Sequence, residues 1–277
     1  MHIDAHHHFW DPARGDYVWM PPDDPVLSRF YGPGDLAMAI AGTGVDQTVL
    51  VQAAPTVAET EYMLKIAENS PQVAKVVGWI DFEDPGQIEE LTRLSGHPKF
   101  SGVRPMIQDL PDDDWMLKPE VQWAFEALIR LDLTFDCLGF PRHLDNFHTL
   151  LTRYPEMRAV IDHCMKPQFR EDGWFDRWGD GMTRLAEDTH ACCKLSGLVT
   201  EADADWSADA LRPATDHVLR EFGAVRVMWG SDWPVERLRM EYVDWHRLAR
   251  ELTAHLIEAE QEQIFAGTAR NFYRIDW

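Results

Sequence analysis

A chain of 277 residues, 45% of them hydrophobic, has the size of one large α/β barrel, for which about 250 residues is typical. Its formal charge of −21 sets up a field that repels nucleic acid and anionic membrane surfaces, which argues against both as partners. The four cysteines (Cys137, Cys164, Cys192, Cys193) form no Cys-x-x-Cys pair and read as small buried hydrophobes, and no apolar run approaches the ~18 residues of a membrane span.

Residues 1–9 read as an opening strand. It begins so close to Met1 that no secretion signal precedes it, and the expected setting is the cytoplasm. The β-branched run 45–53 ends near Pro55, and 59–68 carries Met63, Leu64, Ile66 and Ala67 at helical spacing. Strand 73–81 leads to a helix near 85–94, strand 100–106 to a helix over 121–131, and strand 133–138 to a helix over about 144–154. Strand 158–163 runs into an aromatic loop and then a helix near 182–190. Strands 192–196 and 225–232, each with a helix after it, close the series. Eight alternating units imply a parallel sheet closed into a (β/α)8 TIM-like barrel, one domain over residues 1–277. An open doubly wound sheet is the alternative. That fold marks its first strand with a glycine-rich phosphate turn, whereas this one ends in histidines and aromatics.

In such barrels the reacting groups sit at the C-terminal ends of the strands. Strand one ends Asp4-Ala5-His6-His7-His8-Phe9-Trp10. Period-two alternation puts His6 and His8 on one face and His7 on the other, toward the helices. Two imidazoles a pleat apart can chelate one metal or hold one substrate oxygen. A tag-like polar cluster is the plain alternative, but the run merges directly into Phe9-Trp10. Strand six ends Val160-Ile161-Asp162-His163, with His163 expected at the mouth and Asp162 pointing away from it. Strand eight ends Trp229-Gly230-Ser231-Asp232-Trp233-Pro234. Gly230 permits close backbone approach, Pro234 stops the strand, and the Asp232 carboxylate is left at the mouth. Gln52, Asp81, Arg104, Gln108, Asp136 and Lys194 are further polar residues near strand ends. Arg104 is the strongest substrate ligand among them, because a guanidinium can hold an oxygen bidentately. Trp10, Trp79, Trp174, Trp178, Trp206 and Trp233 fall in or near mouth loops, where tryptophan either packs the loop or stacks on a ring.

The ordered set of segments 3–10, 77–79, 101–104, 161–163 with Lys166-Pro167, 194–198, 230–234 and 265–269 resembles the amidohydrolase superfamily, in its amidohydrolase-2 branch of lactonases and metal-dependent hydrolases. Within that branch the run 194–203 is most similar to sugar-lactone hydrolases of the fuconolactonase group. The resemblance implies that His6, His8 and His163 are catalytic or metal-ligating and that Asp232 activates water. Binuclear members carry a bridging lysine or glutamate on strand four and a histidine on strand five; here those strands offer Arg104 and Asp136. The expectation is therefore no cofactor, or one zinc-like divalent metal on His6, His8, His163 and Asp232.

The chemistry implied is opening of a small lactone, with Asp232 as base and the oxyanion met by His6, His8, His163 and Arg104. Gln52, Trp79, Asp81, Gln108 and Lys194 are the expected substrate contacts. No Gly-x-Ser-x-Gly elbow is present, which argues against an acyl-enzyme. A pyrone-dicarboxylate lactonase, or a metal-dependent decarboxylase or hydratase of the same branch, is the alternative. The dicarboxylate would need loop arginines such as Arg142, Arg170 or Arg237 at the mouth.

Overall fold

The β-branched and apolar runs form eight strands in the computed structural model, which describes residues 1–276. They are His2–His7 (β1), Val45–Val51 (β2), Val73–Gly78 (β3), Phe100–Val103 (β4), Thr134–Cys137 (β5), Arg158–Ile161 (β6), Cys192–Leu195 (β7) and Val227–Trp229 (β8). Each pairs in parallel with the next in chain order. Beyond β8 the chain returns to β1: the Asp232 N–H donates to His6 O at 2.8 Å and the His8 N–H to Trp233 O at 2.7 Å. The ring is closed, a (β/α)8 barrel.

The helices are Pro33–Ala39 (α1), Val57–Glu68 (α2), Ile88–Ser95 (α3), Gln122–Arg130 (α4), Leu144–Arg153 (α5), Trp174–Asp188 (α6), Leu198–Glu201 (α7), Ala208–Phe222 (α8), Tyr242–Leu252 (α9), Glu258–Glu262 (α10) and Thr268–Tyr273 (α11). α6 starts eight residues before the sequence signal, which the glycines at 179 and 181 weaken. A Cβ at Gly181 would lie 2.7 Å from Leu144, so glycine is required for α5 and α6 to approach. None of the helices among the described residues is long and apolar enough to cross a membrane. All four cysteines are free thiols.

The core has two bodies. The larger lies between sheet and helices and takes the outward residues of the strands, such as Leu50, Phe135, Ile161, Leu195 and Trp229. The smaller fills the inside of the barrel with Ile3, Ala5, Val49, Val51, Val77, Val160 and Met228, plugged by Phe272, Tyr273 and Ile275 at the end of the chain. Inward residues nearer the carboxyl ends are polar, and this is where the site begins.

Candidate active site

β1 delivers its histidines through a slip in pairing. Its register with β2 shifts between Asp4 and His7. Ile3 and Ala5 face the interior, and the extra residue brings His6 inward as well. Asp4, on the outer side, fixes the slip: its carboxylate accepts the His6 N–H at 3.1 Å, the Ser231 N–H at 2.8 Å and the Tyr242 hydroxyl at 2.9 Å. Burial nevertheless raises its pKa to about 6. Gly230 is needed here, since a Cβ would fall 2.8 Å from the His6 Cβ. His7 turns outward and bonds Thr48 Oγ1 at 2.9 Å, as alternation predicts.

Left-handed backbone carries the other two ligand positions. Asp232 has φ 62°, and His163, Cys164, Met165 and Lys166 form a run at φ 53°, 51°, 56° and 48°. Non-glycine residues occupy this region only where surroundings over-determine it, and such positions cluster at functional sites. The surroundings are visible. The Trp178 indole donates to Cys164 O at 2.8 Å, and Ser196 Oγ lies 2.9 Å from His163 Nδ1. Gly197, at φ 65°, passes so close that a Cβ would be 2.7 Å from that same nitrogen.

The four expected residues converge. Asp232 Oδ1 lies 3.3 Å from His8 Nε2, 3.6 Å from His6 Nε2 and 3.8 Å from His163 Nε2, and the two strand-one Nε2 atoms are 3.2 Å apart. All four side chains are buried. Burial pushes the His163 pKa down to about 4 and lowers that of His8; burial and Lys194 hold His6 well below its ordinary value. Burial alone would raise the Asp232 carboxyl, but His163, His8 and His6 outweigh it and keep it ionised. The result is a carboxylate below its ordinary range, gathered with three imidazoles that burial pushes toward the neutral form. His8 Nδ1 sits 2.8 Å from Val51 O, so it carries the proton and Nε2 presents a lone pair to the cavity.

Beneath this layer lies a buried ionic one. Lys194 Nζ stands 2.5 Å from Asp136, 2.9 Å from Asp162 and 3.1 Å from His6 Nδ1. Arg104 Nη1 is 3.4 Å from Asp162 and 3.3 Å from His6 Nε2. Two carboxylates face two cations, which leaves Asp232 without a cationic partner of its own. Asp162 does not point away from the mouth. It continues the inward phase of Val160, and His6 Nδ1 is 3.5 Å from it. Lys194 is fully buried and takes its bonds in this layer rather than from the cavity.

The imidazoles of His8 and His163 floor a cavity of about 320 Å³, with the fully buried His6 not among its lining residues. His8, His163, Asp232 and Arg104 line its base, and Gln108 and Asp109 stand at one side. Trp19, Leu27, Met106, Leu138, Val235 and Leu238 give it an apolar flank, with Lys166 among the lining residues. Gln52 does not reach it: its amide donates to Arg104 O at 2.9 Å and accepts from the guanidinium at 2.9 Å, so it orients Arg104. Trp79 and Asp81 line a neighbouring cleft instead. Of the mouth tryptophans, Trp10, Trp178 and Trp233 are buried packing residues. Arg142 is engaged by Asp113 and Gln108 O, Arg170 by Ala202 O and Arg237 by Glu241, and none of the three lines the cavity. Trp19 and Met106, placed by loop packing, carry no periodic signal, whereas Ser196, two residues on from Lys194 in the same inward phase, is a partner of His163 that strand alternation could have marked.

The donor set fits one divalent cation. The separations from Asp232 and between His6 and His8 lie close to the ~3.4 Å edge of a tetrahedron with bonds of ~2.1 Å, and the neutral His8 tautomer leaves its Nε2 free to bind. A second triad of His6, Asp162 and His163 shares two of these residues, and its carboxylate is already paired with Lys194 and Arg104. Two cations do not fit.

A closed parallel barrel whose mouth gathers three imidazoles and one carboxylate defines a class, and the chain belongs to it: it is a member of the amidohydrolase family, whose profile matches residues 3–275. Among its relatives, an L-fucono-1,5-lactonase of Burkholderia ambifaria is 40% identical over 99% of this chain and 96% of its own. An L-fucono-1,5-lactonase of Burkholderia multivorans is 34% identical over the same shares. The crystal structure of an amidohydrolase from Burkholderia multivorans with bound zinc superposes with a TM-score of 0.93 at 33% identity, covering 100% of both chains.

Proposed function

We propose that this protein hydrolyses a sugar lactone, an aldonolactone of five or six carbons, to the open hydroxy acid. The observation that carries the reading is the convergence of His6, His8 and His163 on the Asp232 carboxylate, within 3.8 Å, at the base of a cavity of sugar size. The two relatives named L-fucono-1,5-lactonase support the same substrate class.

Asp232 takes a proton from water as the water oxygen attacks the lactone carbonyl. His8 Nε2, 3.3 Å from Asp232, faces the same point at the base of the cavity and helps to fix where that water sits. Arg104, lining the cavity and locked by Gln52, supplies a fixed positive charge to the carbonyl oxygen as it becomes an oxyanion. Collapse breaks the bond from carbonyl carbon to ring oxygen, and Asp232 returns its proton to that oxygen. Water has been added, the product is a hydroxy acid, and Asp232 is again a carboxylate. His6, His8, His163 and Asp232 would hold a divalent cation, which supplies Lewis-acid polarisation and a lower pKa for bound water; zinc in the Burkholderia multivorans structure supports this choice.

The cavity favours a neutral ring. Arg104 is already paired with Asp162, the other charged lining residues are Lys166, Asp109 and Asp232, and none of the three loop arginines lines it. A pH-indicator screen, with metal analysis of the same sample, tests the proposal. Five- and six-carbon aldonolactones should be hydrolysed efficiently and pyrone dicarboxylate poorly. A higher kcat/KM for the dicarboxylate would overturn it.

A further inference from the structure

Beside the catalytic cavity runs a second cleft of about 500 Å³, and the two share Trp19, Met106 and Asp109 as a common wall. Its remaining lining includes Trp79, Phe82 and Trp115 together with Asp81 and Glu83, and no lysine or arginine. Trp79 and Asp81 are the two residues whose positions after β3 mark them as substrate contacts, yet they lie outside the catalytic cavity.

The cleft is built rather than incidental. The Trp79 N–H donates to Thr60 Oγ1 at 2.8 Å and its carbonyl accepts from the same hydroxyl at 3.1 Å, so the backbone of this half-buried indole is clamped. Gly78 allows the clamp, since a Cβ there would meet Thr60 at 2.4 Å. The Trp115 indole donates to Glu83 Oε1 at 2.8 Å, and the Trp19 indole donates to Ala53 O at 2.6 Å. Flat apolar rings with carboxylates beside them match the two surfaces of a pyranose: C–H faces that stack and hydroxyls that donate. Three carboxylates without a lining cation repel an anionic occupant.

Resting on the sugar-lactone reading, we propose that this cleft is a second sugar-ring subsite, and that the protein accepts aldonolactones carrying a neutral glycosyl substituent. The lactone ring occupies the catalytic cavity and the glycosyl ring lies in the cleft, with the chain between them passing Trp19.

The test compares a six-carbon aldonolactone with the aldobionolactone that bears a hexosyl group on it. The disaccharide lactone should have a KM about 10-fold lower, the worth of ~1.4 kcal/mol of added contact. Trp79→Ala should raise that KM about 10-fold while moving the monosaccharide KM less than twofold, and Asp81→Asn, a milder surface change, should move it in the same direction. Equal KM values for the two substrates, or equal effects of Trp79→Ala on both, would overturn the subsite. So would a dimer in solution that shields Trp79 from a fluorescence quencher. If neither lactone is hydrolysed, the functional reading fails by itself. Binding of the parent neutral disaccharide, followed by tryptophan fluorescence, then decides the cleft separately: saturation lost in Trp79→Ala supports it, and no binding rejects it.

Discussion

The two halves of the barrel interior are built from the same eight strands and do opposite things. Toward the amino ends, Ile3, Val49, Val77 and Met228 pack against one another and are sealed by Phe272 and Tyr273. Toward the carboxyl ends the inward positions are His6, Asp136, Asp162 and Lys194, equally buried but polar. The apolar half gains stability from every methyl removed from water. The polar half can at best balance desolvation against pairing, so its presence is a cost accepted for chemistry. The halves meet where the Tyr273 hydroxyl donates to Asp136 at 2.8 Å.

The largest expected effect breaks the ionic layer. Lys194→Met leaves Asp136 and Asp162 facing each other with only Arg104 to compensate, and should cost about 3–5 kcal/mol in denaturant unfolding. Burial already pushes Asp136 up to about 6 against the pull of Lys194. Adding Asp136→Leu should recover part of the loss, because a charge is removed where its partner is missing. A loss under ~1 kcal/mol for the single variant would mean that Lys194 does not balance the layer.

Next in size is the reacting group. Asp232→Asn preserves shape but cannot take a proton, and turnover on an aldonolactone should fall at least ~100-fold at unchanged melting temperature. Turnover within tenfold of the parent would remove Asp232 as the base.

The halves also differ in their response to pH. Burial lowers His163 from 6.5 to about 4 and His7 to about 3, so between pH 6.5 and those values the unfolded chain binds protons that the folded chain refuses. Stability from this source is therefore full above pH 6.5 and falls as pH drops through that window. Chemical denaturation at pH 7.5, 6 and 5 should show progressive loss. The apolar half contributes nothing to this trend. An unchanged unfolding free energy across the series would mean that these imidazoles are not held neutral.

The barrel and most of the mouth are legible in the sequence because strand alternation is a local signal. β-branched runs mark the strands, and the phase of β4, β5 and β7 puts Arg104, Asp136 and Lys194 inside. The same rule, followed strictly, places Asp162 inward with Val160. It then fails at His163, where left-handed backbone turns a second consecutive side chain inward. Reading His163 as the inward residue forced Asp162 outward, and one local conformation accounts for the error. The slip in β1 is similar, since nothing in His6-His7-His8 announces that Ala5 and His6 both face in. Trp19 and Met106 lie on loops whose placement depends on tertiary packing, so no periodicity could mark them for the cavity wall.

The smallest expected effect concerns the hydroxyl that orients the left-handed histidine. Ser196 Oγ is 2.9 Å from His163 Nδ1, and both groups are buried. A neutral hydrogen bond of this kind contributes about 1 kcal/mol, so Ser196→Ala should lower kcat/KM roughly 5-fold. The effect should fall on kcat more than KM, because the hydroxyl positions a group that acts in the reaction and does not line the cavity. Ser196→Thr keeps the hydroxyl and should restore most of the activity. A comparable loss in the threonine variant would show that the site senses the volume at position 196 rather than the bond. The polar half would then be governed by packing, as the apolar half is.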